Sequence, residues 1–411
     1  MNFDDTPAEA EFRSRAAAWI AANAPFELEK ELERANFGLQ LHSTDPVAAS
    51  KAWQKKKYDA GWAALRWPKE YGGAERSPIE QVIWSHEEGV FSKLNIPFAI
   101  GFGMCGPTVM KWAREDQKRQ LLPRLASGQD IWCQLFSEPA AGSDLAGIRT
   151  RAERDGDEWV VNGQKIWTSG ARDAEWGLLI TRTDPTIAKH RGLTMFFLDM
   201  KSPGIEIRPI RQANEESHFN EVYFTDVRIP DAQRLGEVGQ GWTVALTTLM
   251  NERMSIGAEM PTSFAELYAL CRELGVIGDS AVVSRLAKFA VKASGLRYTA
   301  FRAISALSRG EQPGPENSIG KLVAGSMIQE MSQFALDLEG EAGMLLETEI
   351  SPERAWFRAT LLRSPAIRIE GGTDEVLRNI IAERVLGLPP EARVDKDVPF
   401  NQIPSAATAA R

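Results

Sequence analysis

From Arg151 to Ser169 the chain reads RAERDGDEWVVNGQKIWTS, and this stretch decides the middle of the fold. Asp155-Gly156 and Asn162-Gly163 each sit between strand-like runs. Asp-Gly and Asn-Gly are the pairs that tolerate the positive-φ positions of tight hairpin turns. The stretch therefore reads as a meander of Ile148–Arg154, Glu158–Val161 and Gln164–Thr168. Further strand-like runs lie at Trp176–Thr181, Leu193–Met200, Ile205–Ile210 and Glu221–Phe224, which predicts a β domain over residues 131–236.

On either side the apolar period changes from two to that of a helix. Phe12, Ala16, Trp19 and Ile20 share one helical face, and residues 1–130 read as an all-helical domain broken by the Pro68 and Gly72-Gly73 loop. After Gly241 come long helical patterns at Val244–Met260, Ser280–Ser308 and Ile319–Leu338, so residues 237–388 read as a helical bundle. The last helix, Asp374–Leu386, starts at Thr373 as N-cap and stops at Gly387 before Pro389-Pro390. Residues 389–411 read as a mobile tail.

Composition narrows the function. A chain of 411 residues divides into two to four domains, and a net charge of −8 has the wrong sign for a protein that neutralises nucleic-acid phosphates. No apolar run approaches membrane-spanning length and the acidic start lacks a secretory pattern, so no membrane insertion and a cytoplasmic location are expected. Cys105, Cys133 and Cys271 are odd in number and unpaired in spacing, and the 4 histidines show no metal-ligand pattern. Buried reduced thiols and no metal are expected. Gly101-Phe-Gly103-Met-Cys-Gly106 spells a dinucleotide fingerprint, but it lies between helical patterns and reads as close backbone packing instead.

Two stretches suggest a polar ligand with a flat ring. Gln134 to Asp144 follows an apolar strand with small residues, hydroxyls and Pro139, leaving backbone N–H groups free. Trp167-Thr168-Ser169-Gly170 sets a large aromatic surface beside two hydroxyls, which suits a stacked flavin as well as a core Trp.

Ser137-Glu-Pro-Ala-Ala-Gly-Ser-Asp144, Val161-Asn-Gly-Gln-Lys-Ile-Trp-Thr-Ser169, Phe224-Thr-Asp-Val-Arg-Ile-Pro230 and Gly371-Gly-Thr-Asp-Glu375 together resemble the acyl-CoA dehydrogenase family, from about residue 5 to Pro389. The resemblance implies a mainly α protein with an inserted β domain: N-terminal helices, a middle antiparallel β-barrel or sandwich, and a C-terminal four-helix bundle. It also implies FAD, an acyl-CoA substrate oxidised to the trans-2-enoyl-CoA in lipid catabolism, and electron-transfer flavoprotein as acceptor. A homotetramer is the usual assembly, and a heteromer is open.

By this resemblance Gln134, Phe136, Ser137, Gly142, Ser143, Trp167, Thr168, Ser169, Gly340, Thr373 and Glu375 hold FAD, with Ser143 and Arg253 also toward the substrate. Many members carry the catalytic base immediately before a Gly-Thr, but here that position is Gly371. Glu370 is one residue away. Glu252, on the first helix after the β domain, resembles the base position of isovaleryl-CoA and long-chain acyl-CoA dehydrogenases, and its face includes Ala245, Thr248, Leu249, Ser255 and Ile256. The expectation is Glu252 as base and the Gly371 backbone N–H on the thioester carbonyl. A flavin monooxygenase or oxidase on the same fold, or a catalytically silent subunit of a heteromer, are the rival expectations. Arg272-Glu-Leu-Gly275 and Gly340-Glu341-Ala342-Gly343 depart from the family's distal FAD elements.

Overall fold

Short local signals start the helices. Thr6 accepts from the Glu9 N–H at 3.3 Å while the Glu9 carboxylate accepts from the Thr6 N–H at 2.7 Å, a reciprocal cap that opens α1 (Pro7–Asn23). Ser77 and Glu80 repeat the arrangement at α4 (Pro78–Glu88), after α2 (Glu29–Arg34) and α3 (Pro46–Asp59). α5 (Gly106–Trp112) and α6 (Glu115–Ala126) complete the N-terminal helices. The computed structural model describes residues 5–34, 39, 41–257, 264–309, 311, 314–344, 352–392, 395 and 397–404, with residues 34, 252–257, 307, 308 and 352–355 as backbone only.

The N-terminal core is aromatic. Trp62 stacks on Trp84 at 4.7 Å and 17°, and Trp19 touches both, as well as Trp53 at 5.4 Å. Indole N–H groups need acceptors when buried. The buried Glu88 carboxylate accepts from Trp53 at 2.8 Å and Trp84 at 3.2 Å, and pairs with the buried Lys57 ammonium at 2.9 Å.

Among the described residues eight strands form one sheet: β1 (Trp132–Leu135), β2 (Arg151–Asp155), β3 (Glu158–Ser169), β4 (Trp176–Arg182), β5 (Leu193–Asp199), β6 (Ile205–Pro209), β7 (Phe219–Pro230) and β8 (Arg234–Leu235). The order is β6-β7-β3-β2-β4-β5-β8, with β1 also against β4. The pairs are antiparallel except β1 with β4 and the Arg151/Arg182 contact of β2 with β4. A hairpin turn forms at the first pair as expected, over Gly156-Asp157 between the paired Asp155 and Glu158, but Asn162-Gly163 is not a turn. β3 runs straight through it with a register shift against β7, and Gly163, at φ +150°, lies where a Cβ would meet the Thr150 hydroxyl at 2.6 Å. The glycine is required by close approach within a bulge and not by a turn.

The C-terminal helices are α7 (Gly241–Gly257), α8 (Phe264–Glu273), α9 (Ser280–Ser308), α10 (Ser318–Glu339), α11 (Pro352–Ile367) and α12 (Asp374–Arg384). Leu267, Leu270, Phe289, Met327, Met331 and Phe357 pack between α8, α9, α10 and α11. The fold is that of helices, a middle β domain and more helices. No helix among the described residues is long and apolar enough to cross a membrane. All three cysteines are buried free thiols.

Residues 397–404, within the stretch expected to be a mobile tail, pair with the β4–β5 connection. Pro399 bridges to Ala188, and the Phe400 and Asn401 N–H groups donate to the Ile187 and Pro185 carbonyls, each at 2.9 Å. Backbone pairing to the β4–β5 connection, which composition does not reveal, docks this segment.

One buried ion pair organises the loop from Phe136 to Thr150. Lys165, fully buried on β3, donates to the Glu138 carboxylate at 2.8 Å and the Phe136 carbonyl at 2.9 Å. Glu138 also accepts from the Arg149 N–H at 2.6 Å and the Thr150 N–H at 2.9 Å. Burial pushes the Glu138 carboxyl up, but the Lys165 ammonium and these N–H donors outweigh it and hold it below the ordinary carboxylate value of 4.5. Glu138→Gln strands the Lys165 charge, and we expect a loss of about 3–5 kcal/mol in denaturant unfolding at neutral pH. Because the folded carboxyl is depressed, the wild-type contribution is present above 4.5 and disappears as pH falls through the folded value. That part of the acid limb should be missing from the Glu138→Gln stability curve.

Candidate active site

Four segments build the site, and the first is a bulge in β3. The register against β7 slips between Lys165 and Thr168, and Trp167 takes φ +61°, a conformation that costs a bulky side chain energy. The slip turns the indole outward. It is 54% exposed and meets the edge of Phe219 at 6.1 Å and 87°. Next to it the Gly170 N–H donates to the His218 carbonyl at 2.9 Å, and the Asn220 amide donates to the Thr168 carbonyl at 3.0 Å. The Thr168 hydroxyl is buried with no partner among the described residues, and Ser169 is half-buried.

The second segment follows β1. Gln134 and Ser137 are half-buried and Phe136 is buried. The Ser137 carbonyl accepts from the Ile166 N–H at 2.9 Å, which sets this loop beside the bulge. Gly142, Ser143 and Asp144 form its exposed tip.

The third is the turn from Arg368 to Asp374, where consecutive glycines take φ +62° and +98° at Gly371 and Gly372. Both positions lie in the region that a Cβ disfavours. The turn is pinned on all sides: Arg368 pairs with the buried Asp374 at 2.7 Å and donates to Gln329 at 3.0 Å, and the buried Lys321 ammonium donates to the Gly372 carbonyl. Thr373 caps α12 by accepting from the Val376 N–H at 3.3 Å, and Glu375 is exposed in its first turn. Hydrogen bonds at this cap, its own backbone N–H first and Thr373 second, hold the Glu375 carboxyl below its ordinary value.

Arg363 joins this turn to the bulge. It pairs with Glu370 at 2.7 Å, and its guanidinium carbon lies 5.4 Å from the centre of Phe219. Its Nε and Nη1 are buried without a partner among the described residues. Glu370 is therefore committed to Arg363, and the line Trp167, Phe219, Arg363, Glu370 connects the β domain with the bundle.

The fourth segment is α7. Val244, Ala245 and Thr248 are buried, the Thr248 and Thr108 hydroxyls lie 2.9 Å apart, and Trp112 donates to Thr247 at 3.0 Å. Position 252 falls four residues after Thr248 and seven after Ala245, on one helical face. The side chains of Glu252 and Arg253 lie outside the described residues.

The structure thus brings Ser137, Trp167, Thr168 and Ser169 together, and joins Glu370 and Gly371 to them through Arg363. Gly340 is not among them. It ends α10, whose start carries Lys321 at the Gly372 turn, and 19 residues of helical rise separate the two by roughly 28 Å. Gly101 and Gly106 serve packing, since a Cβ there would meet Leu125 at 2.7 Å and Trp67 at 2.6 Å. Sequence reasoning missed Glu138, Lys165, Phe219, Lys321 and Arg363. Only Lys165 left a signal: it follows Trp159 and Val161 on the inward side of a strand, where a Lys needs an acid.

With this geometry in view, the chain matches three family descriptions: Acyl-CoA dehydrogenase, N-terminal domain over residues 6–129, middle domain over 133–227 and C-terminal domain over 239–386. It is 35% identical to acyl-CoA dehydrogenase IpdE1 of Mycobacterium tuberculosis over 392 residues, covering 93% of this chain and 98% of the relative. Among solved structures it is similar to the Tcur3481-Tcur3483 steroid ACAD, at 28% identity and TM-score 0.78, over 95% of this chain and 100% of that one. It is also similar to the ChsE4-ChsE5 complex of Mycobacterium tuberculosis, at 30% identity and TM-score 0.76, with the same 95% and 100% coverage.

A Cβ at the left-handed Gly371 is disfavoured, so Gly371→Ala should cost about 1–2 kcal/mol. The thermal midpoint reads this loss, and a variant as stable as the wild type would show that the turn does not need its glycine.

Proposed function

The chain belongs to the acyl-CoA dehydrogenase family and is an acyl-CoA dehydrogenase, and from that premise we propose that it forms the trans-2-enoyl thioester of a steroid-derived acyl-CoA with Glu252 as base. The family binds FAD, and the residues present fit a flat, polar-edged ring. Trp167 offers an open aromatic face, and the Thr168 hydroxyl and the Arg363 Nε and Nη1 groups are buried without partners among the described residues. Trp167, Thr168, Ser169, Gln134, Phe136 and Ser137 would hold the ring, and Thr373 and Glu375 the adenosine diphosphate end. Bound FAD supplies the acceptor for the hydride that leaves the β carbon, and electron-transfer flavoprotein is the onward acceptor.

The chain's own residues do the proton work. An α C–H is a weak acid, so the thioester carbonyl must be polarised before a carboxylate can take the proton. The Gly371 N–H serves this role without a side chain, on a turn held by Lys321 and Arg368. The observation that carries the choice of base is the 2.7 Å pair of Glu370 with Arg363. A carboxylate tethered to a guanidinium is not free to reach a substrate carbon in the geometry that proton removal needs. Position 252 shares a face with Ala245 and Thr248, and Arg253 beside it is assigned to the substrate.

The steroid assignment rests on the description of the Tcur3481-Tcur3483 relative. Gly340 lies far from the ring-binding residues along α10, which supports an oligomer whose neighbouring chain meets the distal part of FAD. The ChsE4-ChsE5 relative was solved as a complex of two chains, and that precedent supports a heteromer.

Anaerobic mixing of the variant holoenzymes with a steroid acyl-CoA that the wild type turns over tests the base. Glu252→Gln should slow bleaching of the flavin by about 10²–10⁴-fold. Glu370→Gln should leave most of the rate. Wild-type bleaching by Glu252→Gln would remove the assignment.

A further inference from the structure

Two side chains near the C-terminus, Asp395 and Phe400, reach the loop that bears Gly142–Asp144 through Lys189 and Arg182. Lys189, on the β4–β5 connection and buried, donates to both Asp144 carboxylate oxygens at 2.9 and 3.0 Å and to Asp395 at 2.6 Å. One ammonium therefore ties a tail carboxylate to the loop carboxylate. Burial works against the Lys189 charge, yet its bonds to Asp395 and Asp144 outweigh this and raise it above the ordinary lysine value.

The second contact is aromatic. Arg182 is buried and donates to the carbonyls of Lys189 at 2.6 Å, Ala146 at 2.5 Å and Ile148 at 3.4 Å. Burial pushes it down to about 10, so it is still a cation at neutral pH, and no described carboxylate forms an ion pair with it. The Phe400 ring lies 3.8 Å from its guanidinium carbon, and Arg149 is 5.6 Å from the same ring. A ring face over a desolvated cation is a favourable contact. Phe400 thus covers the residue that holds the loop's descending arm at Ala146 and Ile148.

We propose that Phe400 and Asp395 are positioning residues for the substrate: they fix the loop tip at Gly142, Ser143 and Asp144, through Arg182 and Lys189, in the place where the CoA part of the thioester is held. The inference rests on the assignment of Ser143 to the substrate. Neither residue touches the reacting atoms, and they act on binding rather than on proton transfer. A loop that spends less time in its competent position lowers apparent affinity by that fraction and leaves the bound reaction intact.

The experiment uses the full-length holoenzyme. Hydrogen exchange is followed over residues 142–150, CoA itself is titrated by calorimetry, and KM and kcat are measured with the steroid acyl-CoA. Phe400→Ala should speed exchange in the loop and raise the CoA dissociation constant and KM about three- to tenfold, with kcat within about twofold. Asp395→Asn should do the same, and Phe400→Trp, which keeps an aromatic face, should restore the wild-type values. Ser143→Ala should weaken CoA binding with normal loop exchange. If Ser143→Ala weakens CoA binding but Phe400→Ala changes neither exchange nor affinity, the positioning role is wrong while the Ser143 assignment stands. If neither variant weakens CoA binding, the Ser143 assignment fails and the positioning role with it.

Discussion

A lysine ammonium buried inside the β domain, cut off from bulk solvent, is the constraint around which the site is arranged. Lys165 has to find an anion, and Glu138 is the one it finds. Glu138 in turn gathers the Arg149 and Thr150 N–H groups, while Lys165 takes the Phe136 carbonyl. Both ends of the loop that carries Ser137, Gly142 and Ser143 are thereby fixed to the strand that carries Trp167. Two residues after Lys165 that strand slips its register. The pair and the bulge belong together: one anchors the loop, and the other turns the indole out beside it.

The order of helices, strands and helices was legible because each region has its own apolar period. Ser280–Ser308 coincides with α9 from end to end, and Thr373 caps α12 as its position before Asp374 and Glu375 suggests. Asn162-Gly163 shows the limit of local reading, since the pair serves a bulge as readily as a turn and only the approach of Thr150 distinguishes them. The docking of Phe400 depends on Ile187, Pro185 and Arg182, more than 200 residues earlier in the sequence by their numbering. Arg363 is likewise an ordinary helix arginine until Phe219 and Glu370 are placed against it. The motif residues around Trp167 were visible through family resemblance, while of the long-range charges that support them only Lys165 leaves a local pattern in the chain.

The turn at Gly371 presents backbone and no side chain at the position before Gly372-Thr373. Its backbone offers an N–H group, and its neighbour Glu370 is drawn toward Arg363. Lys321 and Arg368 hold the turn from α10 and from α11's end, and the left-handed Gly371 and Gly372 let the chain take its shape there. The base proposed above lies on another element, α7, which packs against α5, α10 and β5.

The indole cluster of the N-terminal helices has an optical consequence. Rings 4.7 Å apart and tilted by 17°, as Trp62 and Trp84 are, share their electronic transitions, and Trp19 extends the group. Coupled transitions give circular dichroism whose sign follows the handedness of the pair, so the near-ultraviolet spectrum carries a contribution that belongs to this domain. Absorbance of a yellow chromophore beside Trp167 would report on the other end of the molecule, and one sample could reveal in separate wavelength bands which part loosens first.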